Sequence, residues 1–320
     1  MWKRLIAAVG VLAGIAAVSA QSFPSRPVTA VVPATAGGPT DTIGRIVMAR
    51  AQQLLGQTIV IENVGGASGT IGTGRVVRAE PDGYTIGIGG VNHYVVNASV
   101  YPLAYDTLKD FEPVSMLSNG PMLIMSRNSI PAKNLQELIA LSKSKSVNIG
   151  TSGAGSATHM TLARFNAATG ANITHVPYRG GGALIPDLLS GAITGAMTEL
   201  STALPHVGGG RVRVLGVAWN KRSPQMADVP TMIEQGVTDF TAASYVGILA
   251  PAATPGEIVK TLETALIKAL NGKDLQQKML ASGAELVPDD LMTSQGFAAY
   301  IKKEYDLTRE AAKIAGLTPT

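Results

Sequence analysis

Two segments of the chain share one pattern of small and hydroxyl-bearing residues. Residues 32–41 read VPATAGGPTD, and residues 149–159 read IGTSGAGSATH. Each follows a short apolar run and precedes a helical pattern, so each predicts a strand, a tight turn and a helix. Glycine lets backbone N–H groups approach a ligand, and a helix N-terminus carries about half a positive charge. We therefore expect two anion-binding turns that hold the ends of a small anion in one cleft.

The second turn offers hydroxyl, amide and imidazole groups that can donate to a carboxylate. A hydrogen bond to a charged acceptor is stronger than one between neutral groups. A lone histidine is more often a structural hydrogen-bonding group, so His159 keeps both interpretations. The candidates from this turn are Ser152, Gly155, Ser156, Thr158 and His159.

Polar residues follow two further strand ends. Asn92 and His93 come after the apolar run that ends near residue 90, and Thr198 and Glu199 stand where a later strand ends. Glu199 has two interpretations. It caps the following helix, or it faces the cleft and selects a ligand with a hydrogen-bond donor or an ammonium group.

The elements that must position these residues alternate between strand and helix patterns. This alternation predicts an α/β fold with parallel sheets and βαβ crossovers, in which ligands lie beyond the carboxyl ends of strands. The predicted strands are 28–32, 58–62, 84–88, 122–125, 147–149, 173–176 and 212–217. Three helices, 256–270, 273–282 and 294–314, end the chain, and we expect them to pack back on the first domain.

The first twenty residues have the pattern of a secretory leader. Lys3 and Arg4 precede an apolar run at 5–18, and small residues lead to a cleavage site after Ala20. This run is too short to span a bilayer, so we expect an exported, periplasmic protein that does not span the membrane. The absence of cysteine among 320 residues agrees with this expectation.

Charge and motifs argue against nucleic-acid binding and catalysis. The net charge is +4, to which Lys3 and Arg4 contribute two, and no basic cluster is interleaved with aromatic residues. The sequence has no G-x-S-x-G, H-E-x-x-H or P-loop motif. The glycines at 153 and 155 begin a dinucleotide fingerprint, but Thr158 stands where a third glycine or alanine is needed. We predict no enzyme activity, no cofactor and no metal.

Seven segments, in this order and spacing, resemble the Bug-type substrate-binding proteins of tripartite tricarboxylate transporters. They cover essentially the whole chain after the leader. Two of them read VVPATAGGPTDTIGR and IVIENVGGASGTIGTGRVVRAEPDGYTI. The segments are residues 31–45, 59–86, 105–117, 173–193, 204–218, 221–231 and 247–259.

This resemblance implies a type II periplasmic-binding-protein fold with two α/β lobes joined by two crossovers. Lobe one would be 21–119 plus 245–320, with the helical tail packed on it, and lobe two would be 120–244. The lobes would close on a carboxylated metabolite, either a di- or tricarboxylate or an aromatic carboxylate. A monomer would then deliver it to the large and small membrane subunits of the transporter. A stand-alone sensor that signals to a membrane receptor is the alternative.

The resemblance also implies further site residues. The first turn would hold a carboxylate through its backbone and ordered water, and an aromatic residue at the second crossover, Tyr245, would pack on the ligand or on the hinge. Asp41 joins this set, although acidic residues are common caps in a first helical turn. The first-turn residues are Thr35, Ala36, Gly37, Gly38, Thr40 and Asp41.

At two positions the chain departs from the family pattern. Ala34 stands where an aromatic residue is common, and the smaller side chain leaves room for a bulkier ligand such as an aromatic carboxylate. Glu199 stands where Asp-Asn-type residues are common. Both departures bear on the identity of the ligand.

Overall fold

The computed structural model describes residues 23–317. The predicted leader and its cleavage site lie outside these residues. The strands are β1 (Val28–Val32), β2 (Ile59–Asn63), β3 (Thr85–Gly90), β4 (Phe111–Arg127), β5 (Val147–Thr151), β6 (Ile173–Pro177), β7 (Gly195–Glu199), β8 (Val212–Val217) and β9 (Ala243–Pro251).

Helices follow most of the strands, as the alternation predicts. A π-helical turn, Asn92–Val96, leads into the short third helix. The helices are α1 (Pro39–Leu55), α2 (Thr70–Val77), α3 (Asn97–Val100), α4 (Leu135–Ser144), α5 (Ala157–Thr169), α6 (Ile185–Ser190), α7 (Leu200–Val207), α8 (Gly256–Leu270), α9 (Lys273–Ala281) and α10 (Ser294–Ile314). The predicted α/β class is confirmed. Within 23–317, no helix is both long and apolar enough to cross a membrane.

Two parallel groups of strands are joined by antiparallel ones. The strand order is β2-β1-β3-β9-β4-β7-β5-β6, and β8 also pairs with β4. β1 is parallel to β2 and β3, whereas β5 is parallel to β6 and β7. We call β1–β3 with their helices the first half of the fold, and β5–β8 with theirs the second half.

The long strand β4 belongs to both halves. Its residues 111–121 pair with β9, and its last residues pair with β7 and β8. The predicted lobe boundaries fall inside these two strands and lie opposite each other, because Asn119 pairs with Tyr245 and Gly120 with Ser244. The lobe boundaries themselves remain a prediction.

The C-terminal helices pack on the antiparallel strands. α8 and α10 both contact β4, and α10 also contacts α5 of the second half. Tyr245 is fully buried, and its ring packs edge-on against Phe297 at 5.5 Å and against Tyr300 at 5.6 Å. A Cβ at Gly247 would overlap the Phe297 ring, so the glycine makes room for it. This aromatic cluster fixes the helical tail beside the two shared strands.

Replacing Phe297 with alanine should strongly destabilise the fold, because the side chain is fully buried in this cluster. We expect the free energy of unfolding to fall by about 3–5 kcal/mol, measured by urea denaturation. Ile71→Ala is the matched control, since that side chain is 55% exposed and its loss should change stability by about 0.5 kcal/mol or less. Equal effects of the two substitutions would contradict the packing described here.

Candidate functional site

Two cavities lie between the halves of the fold. The larger, about 390 Å³, is lined from the first half by residues 33–35, by four residues of 65–69 and by four of 92–101, and from the second half by residues 152–156. We call it the turn cavity. The smaller, about 290 Å³, is lined by residues that include Gly37 and Glu199, and we call it the Glu199 cavity. The first turn contributes to both cavities, so the two adjoin there.

The first turn presents its backbone at the start of α1. Gly38 is the N-cap residue in extended conformation, and no side chain caps the helix. Gly37 has a φ of +82°, a left-handed conformation that favours glycine. Its N–H donates to Oδ2 of Asp41 at 2.8 Å. The turn is therefore held from within by the first helical turn.

Asp41 is only 2% exposed, and its carboxylate is fully engaged inside the protein. Besides Gly37, Arg45 Nε donates to it at 3.0 Å and Asn63 Nδ2 at 2.9 Å. Burial raises the pKa of Asp41, but the bonds from Arg45, Gly37 and Asn63 outweigh burial and hold it below its ordinary value. Asp41 lines neither cavity. Asp41 therefore supports the first turn from within the protein.

The second turn is held by its own hydroxyl groups. Ser156 is the N-cap of α5 and accepts the His159 N–H at 3.2 Å. The same hydroxyl donates to the Gly153 carbonyl at 2.8 Å, and the Ser152 N–H donates to Thr158 Oγ1 at 2.9 Å. Ser152, Gly155 and Ser156 line the turn cavity, whereas Thr158 is buried behind it.

His159 supports the second turn from behind. Its Nδ1 accepts the Gly155 N–H at 3.1 Å, and its ring stacks on His175 at 3.6 Å. His175 in turn bonds to Thr151 Oγ1 at 2.7 Å. Burial and the neighbouring His175 lower the pKa of His159 to about 4, so the ring is neutral at neutral pH. His159 does not line the turn cavity.

Asn92 and His93 do line the turn cavity. Asn92 Oδ1 accepts the Ala157 N–H at 3.0 Å, a bond from the first half to the N-terminus of α5 in the second. His93 Nδ1 accepts the Gly90 N–H at 3.1 Å, and its ring also bonds to the Pro33 carbonyl. Burial, opposed by the bond to Pro33, lowers the pKa of His93 to about 4. Both side chains fix backbone that faces the cavity.

Glu199 stands at the N-cap position of α7, but its side chain accepts no bond from that helix. The capping interpretation is therefore wrong. The carboxylate lines its cavity, where Ser244 donates to it and where burial raises its pKa. The neighbouring Thr198 is fully buried, with no hydrogen-bond partner for its hydroxyl among the described residues.

The structure thus brings the two predicted turns, Asn92 and His93 to one cavity and Glu199 to the next. The side chain of Tyr245 is buried in the aromatic cluster, which favours its interpretation as a hinge residue. Ala36, Gly38 and Thr40 stand beside the cavities without lining them.

Sequence reasoning missed a third segment of the turn cavity. Gly65, Gly66, Ser68 and Gly69 line it, and the Asn97 side chain donates to the Ser68 carbonyl at 2.8 Å. The signal was present, because residues 65–69 read GGASG and share the composition of the two turns. Ser244 gave no such signal, since it lies inside β9.

Comparison with known proteins decides the family. The model of the tripartite tricarboxylate transporter family receptor, TctC, matches residues 43–316. The chain belongs to this family. Its members are periplasmic receptors that bind solutes, and the protein is accordingly a binding protein rather than an enzyme. The Bug-type resemblance read from the sequence is confirmed.

Relatives and solved structures cover nearly the whole chain. Protein BugT of Bordetella pertussis is 33% identical over 304 residues, covering 92% of this chain and 93% of BugT. MatC of Rhodopseudomonas palustris, solved with malate, is 32% identical with a TM-score of 0.76, covering 90% of this chain and 99% of MatC. A second protein of that organism, solved with adipate, is 33% identical with a TM-score of 0.79, covering 93% of this chain and 100% of that protein.

The acid response of the receptor should depend on Asp41. Since its pKa is lowered in the fold, the stability it contributes is present at neutral pH and is lost as the pH falls below its ordinary value of 3.8. In Asp41→Asn the melting temperature should be lower than that of the wild type at pH 7. The difference should shrink as the pH falls from about 5 to about 2, followed by circular dichroism.

Asp306→Asn is the matched control for this series. Asp306 also pairs with a base four residues away, Lys302, but both side chains are well exposed. We expect this variant to follow the wild-type curve. If the Asp41 and Asp306 variants behaved alike, the support assigned to Asp41 would be wrong.

Proposed function

We propose that this receptor captures a small carboxylated metabolite in the turn cavity and delivers it to the large and small membrane subunits of a tripartite tricarboxylate permease. The observation that carries the proposal is the shared cavity of the two glycine- and hydroxyl-rich turns. Pro33, Ala34 and Thr35 approach it from the first half, and residues 152–156 approach it from the second.

The lining of the turn cavity suits an anion without a basic side chain. Among the described residues that line it, none is lysine or arginine, and the histidine is neutral because its pKa is about 4. Recognition therefore falls to neutral polar groups and bridging water, and in the second turn the N–H groups of Ser152, Gly153 and Gly155 already donate within the protein. Water costs roughly 0–2 kcal/mol of ordering per molecule when it bridges two polar groups. Such recognition selects for a carboxylate group and tolerates different carbon chains attached to it.

The related structures support a dicarboxylate of moderate length. One relative was solved with malate and another with adipate. These acids differ in length but share two terminal carboxylates. For this chain we infer the same ligand class, with one carboxylate held at the turn cavity.

Delivery would depend on closure of the two lobes, 21–119 plus 245–320 and 120–244. The lobes would rotate about β4 and β9, the two strands in which the predicted lobe boundaries fall. The ligand binds groups from both lobes and so favours the closed form. The leader would direct the chain to the periplasm and would be cleaved after Ala20. In the periplasm the receptor would act as a monomer.

The first test of this function is ligand binding by the chain that begins at Gln21. After unfolding and refolding to remove any retained ligand, thermal unfolding is measured with malate, succinate, adipate and citrate, and with the aminated acids aspartate and 2-aminoadipate. At about 100 times the dissociation constant, binding should add about 2.7 kcal/mol to the free energy of unfolding. Dimethyl adipate, which lacks the charge, is the control and should have no effect. No stabilisation by any of these acids would refute carboxylate capture.

Closure and delivery need two further measurements. Small-angle scattering should give a smaller radius of gyration at saturating ligand, and an unchanged radius would count against hinge closure. Uptake of the labelled acid by cells that carry the permease should require this receptor. Equal uptake without it would leave binding intact and exclude delivery.

Ala34 should set the space available in the turn cavity, which it lines. In Ala34→Phe the added ring occupies part of that volume, so we expect adipate to bind at least about tenfold more weakly and malate to lose less. Ala36→Phe is the matched control, because Ala36 is exposed and lines neither cavity. Isothermal titration gives both affinities. Unchanged binding of adipate by Ala34→Phe would show that the ligand lies elsewhere.

A further inference from the structure

The Glu199 cavity contains one ionisable side chain and no partner for its charge. The cavity is lined by the start of α1 from the first half, by Glu199 and the first turn of α7 from the second half, and by residues 282–284, which follow α9. Among its described lining residues, the side chains other than Glu199 are apolar or hydroxyl-bearing, as in Ser118, Ser201 and Thr202. No lysine, arginine or histidine is part of this lining.

The carboxylate of Glu199 is available to a ligand. It does not cap α7, and among the described residues the Ser244 hydroxyl donates to it. The residue is half-buried at the end of β7. One hydroxyl satisfies only part of a carboxylate, which has two oxygens and about four acceptor positions.

Closure of the lobes would remove water from the Glu199 carboxylate and so raise the free-energy cost of its charge. A carboxylate removed from water without a cation is strongly disfavoured, whereas one paired with a hydrogen-bonded cation is tolerated. A ligand that brings an ammonium group supplies that cation, with three N–H donors for Glu199 and the nearby hydroxyls. A ligand that brings only a second carboxylate would meet like charge.

The two cavities adjoin at the first turn. Thr35 lines the turn cavity and Gly37 lines the Glu199 cavity. Two residues of chain span at most about 7 Å. The rims of the two cavities therefore lie within about 7 Å of each other along the first turn, a separation that a short aminated carboxylate would have to bridge.

We propose that the ligand is a carboxylate that also carries a protonated amine, and that Glu199 determines this specificity by binding the ammonium group. The inference rests on the proposed function, because the carboxylate of the same ligand is held at the turn cavity. The chemical class is that of acidic amino acids and other short aminated carboxylates.

Matched ligand pairs test the inference by isothermal titration. Succinate and aspartate differ by one amino group, as do adipate and 2-aminoadipate. We expect the wild-type receptor to prefer the aminated member of at least one pair by tenfold or more. In Glu199→Gln, which keeps the size and a partner for Ser244, this preference should disappear through weaker binding of the aminated acid. Glu257→Gln makes the same change at an exposed position of α8 that lines neither cavity, and it should keep the preference.

The pH dependence of ligand affinity distinguishes two models. In the proposed one an ionised Glu199 binds an ammonium group, and in the other a protonated Glu199 donates to a second carboxylate. Burial raises the pKa of Glu199, and no other ionisable side chain lines its cavity among the described residues. His93, the histidine of the turn cavity, stays neutral above its pKa of about 4. Binding of the aminated acid should therefore strengthen as Glu199 ionises with rising pH. Binding that weakens with rising pH would overturn the proposal.

The remaining outcomes are also decisive. If succinate and adipate bind as well as their aminated partners and Glu199→Gln changes neither, the inference fails while carboxylate capture stands. If no member of either pair binds, the proposed function fails with it. Thermal unfolding of the ligand-free variant checks its fold, and removal of a half-buried charge that has no cationic partner should leave its stability equal or higher.

Discussion

The antiparallel pairing of β4 with β9 is the constraint on which the rest of the structure depends. These strands join two parallel sheets whose strands end in ligand-facing loops. β1 and β3 lead to the first turn and to Asn92, whereas β5 and β7 lead to the second turn and to Glu199. Because β4 runs through both halves, the carboxyl ends of all four strands meet at one cleft. The aromatic cluster around Tyr245 holds this shared pair against α10.

In the cleft, residues of the two turns line the cavities, and buried side chains behind the turns support them. Asp41 and His159 are ionisable residues that the sequence analysis proposed for the site. Both accept hydrogen bonds from the turns, and neither lines a cavity. Each accepts a backbone N–H of its turn, from Gly37 and from Gly155, and so holds a glycine-rich loop in one conformation. A loop that is already ordered loses less conformational entropy when a ligand binds. Loss of such a support weakens binding without touching the ligand.

The sequence predicted local elements better than shared ones. β1, β8 and α10 have the predicted bounds, because their apolar spacing is regular and their ends are marked by turn residues. β9 was missed, and only residues 122–125 of β4 were predicted. Both strands are buried along most of their length, so neither alternates, and Pro and Gly interrupt β4 at its bulges and at the crossing. The turns were recognisable by composition, but which side chains face the cavity is set by tertiary contacts such as the pair Glu199 and Ser244.

The charge states of the cleft follow from burial. His93 and His159 have pKa values of about 4 and remain neutral in neutral and mildly acidic solution. The same burial that lowers their pKa raises that of Glu199, because in each case it disfavours the charged form. The two histidines therefore keep one protonation state in neutral and mildly acidic solution, whereas the raised pKa of Glu199 allows its protonation state to change. A pH dependence of ligand choice is therefore expected from Glu199 or from the ligand, and not from His93 or His159.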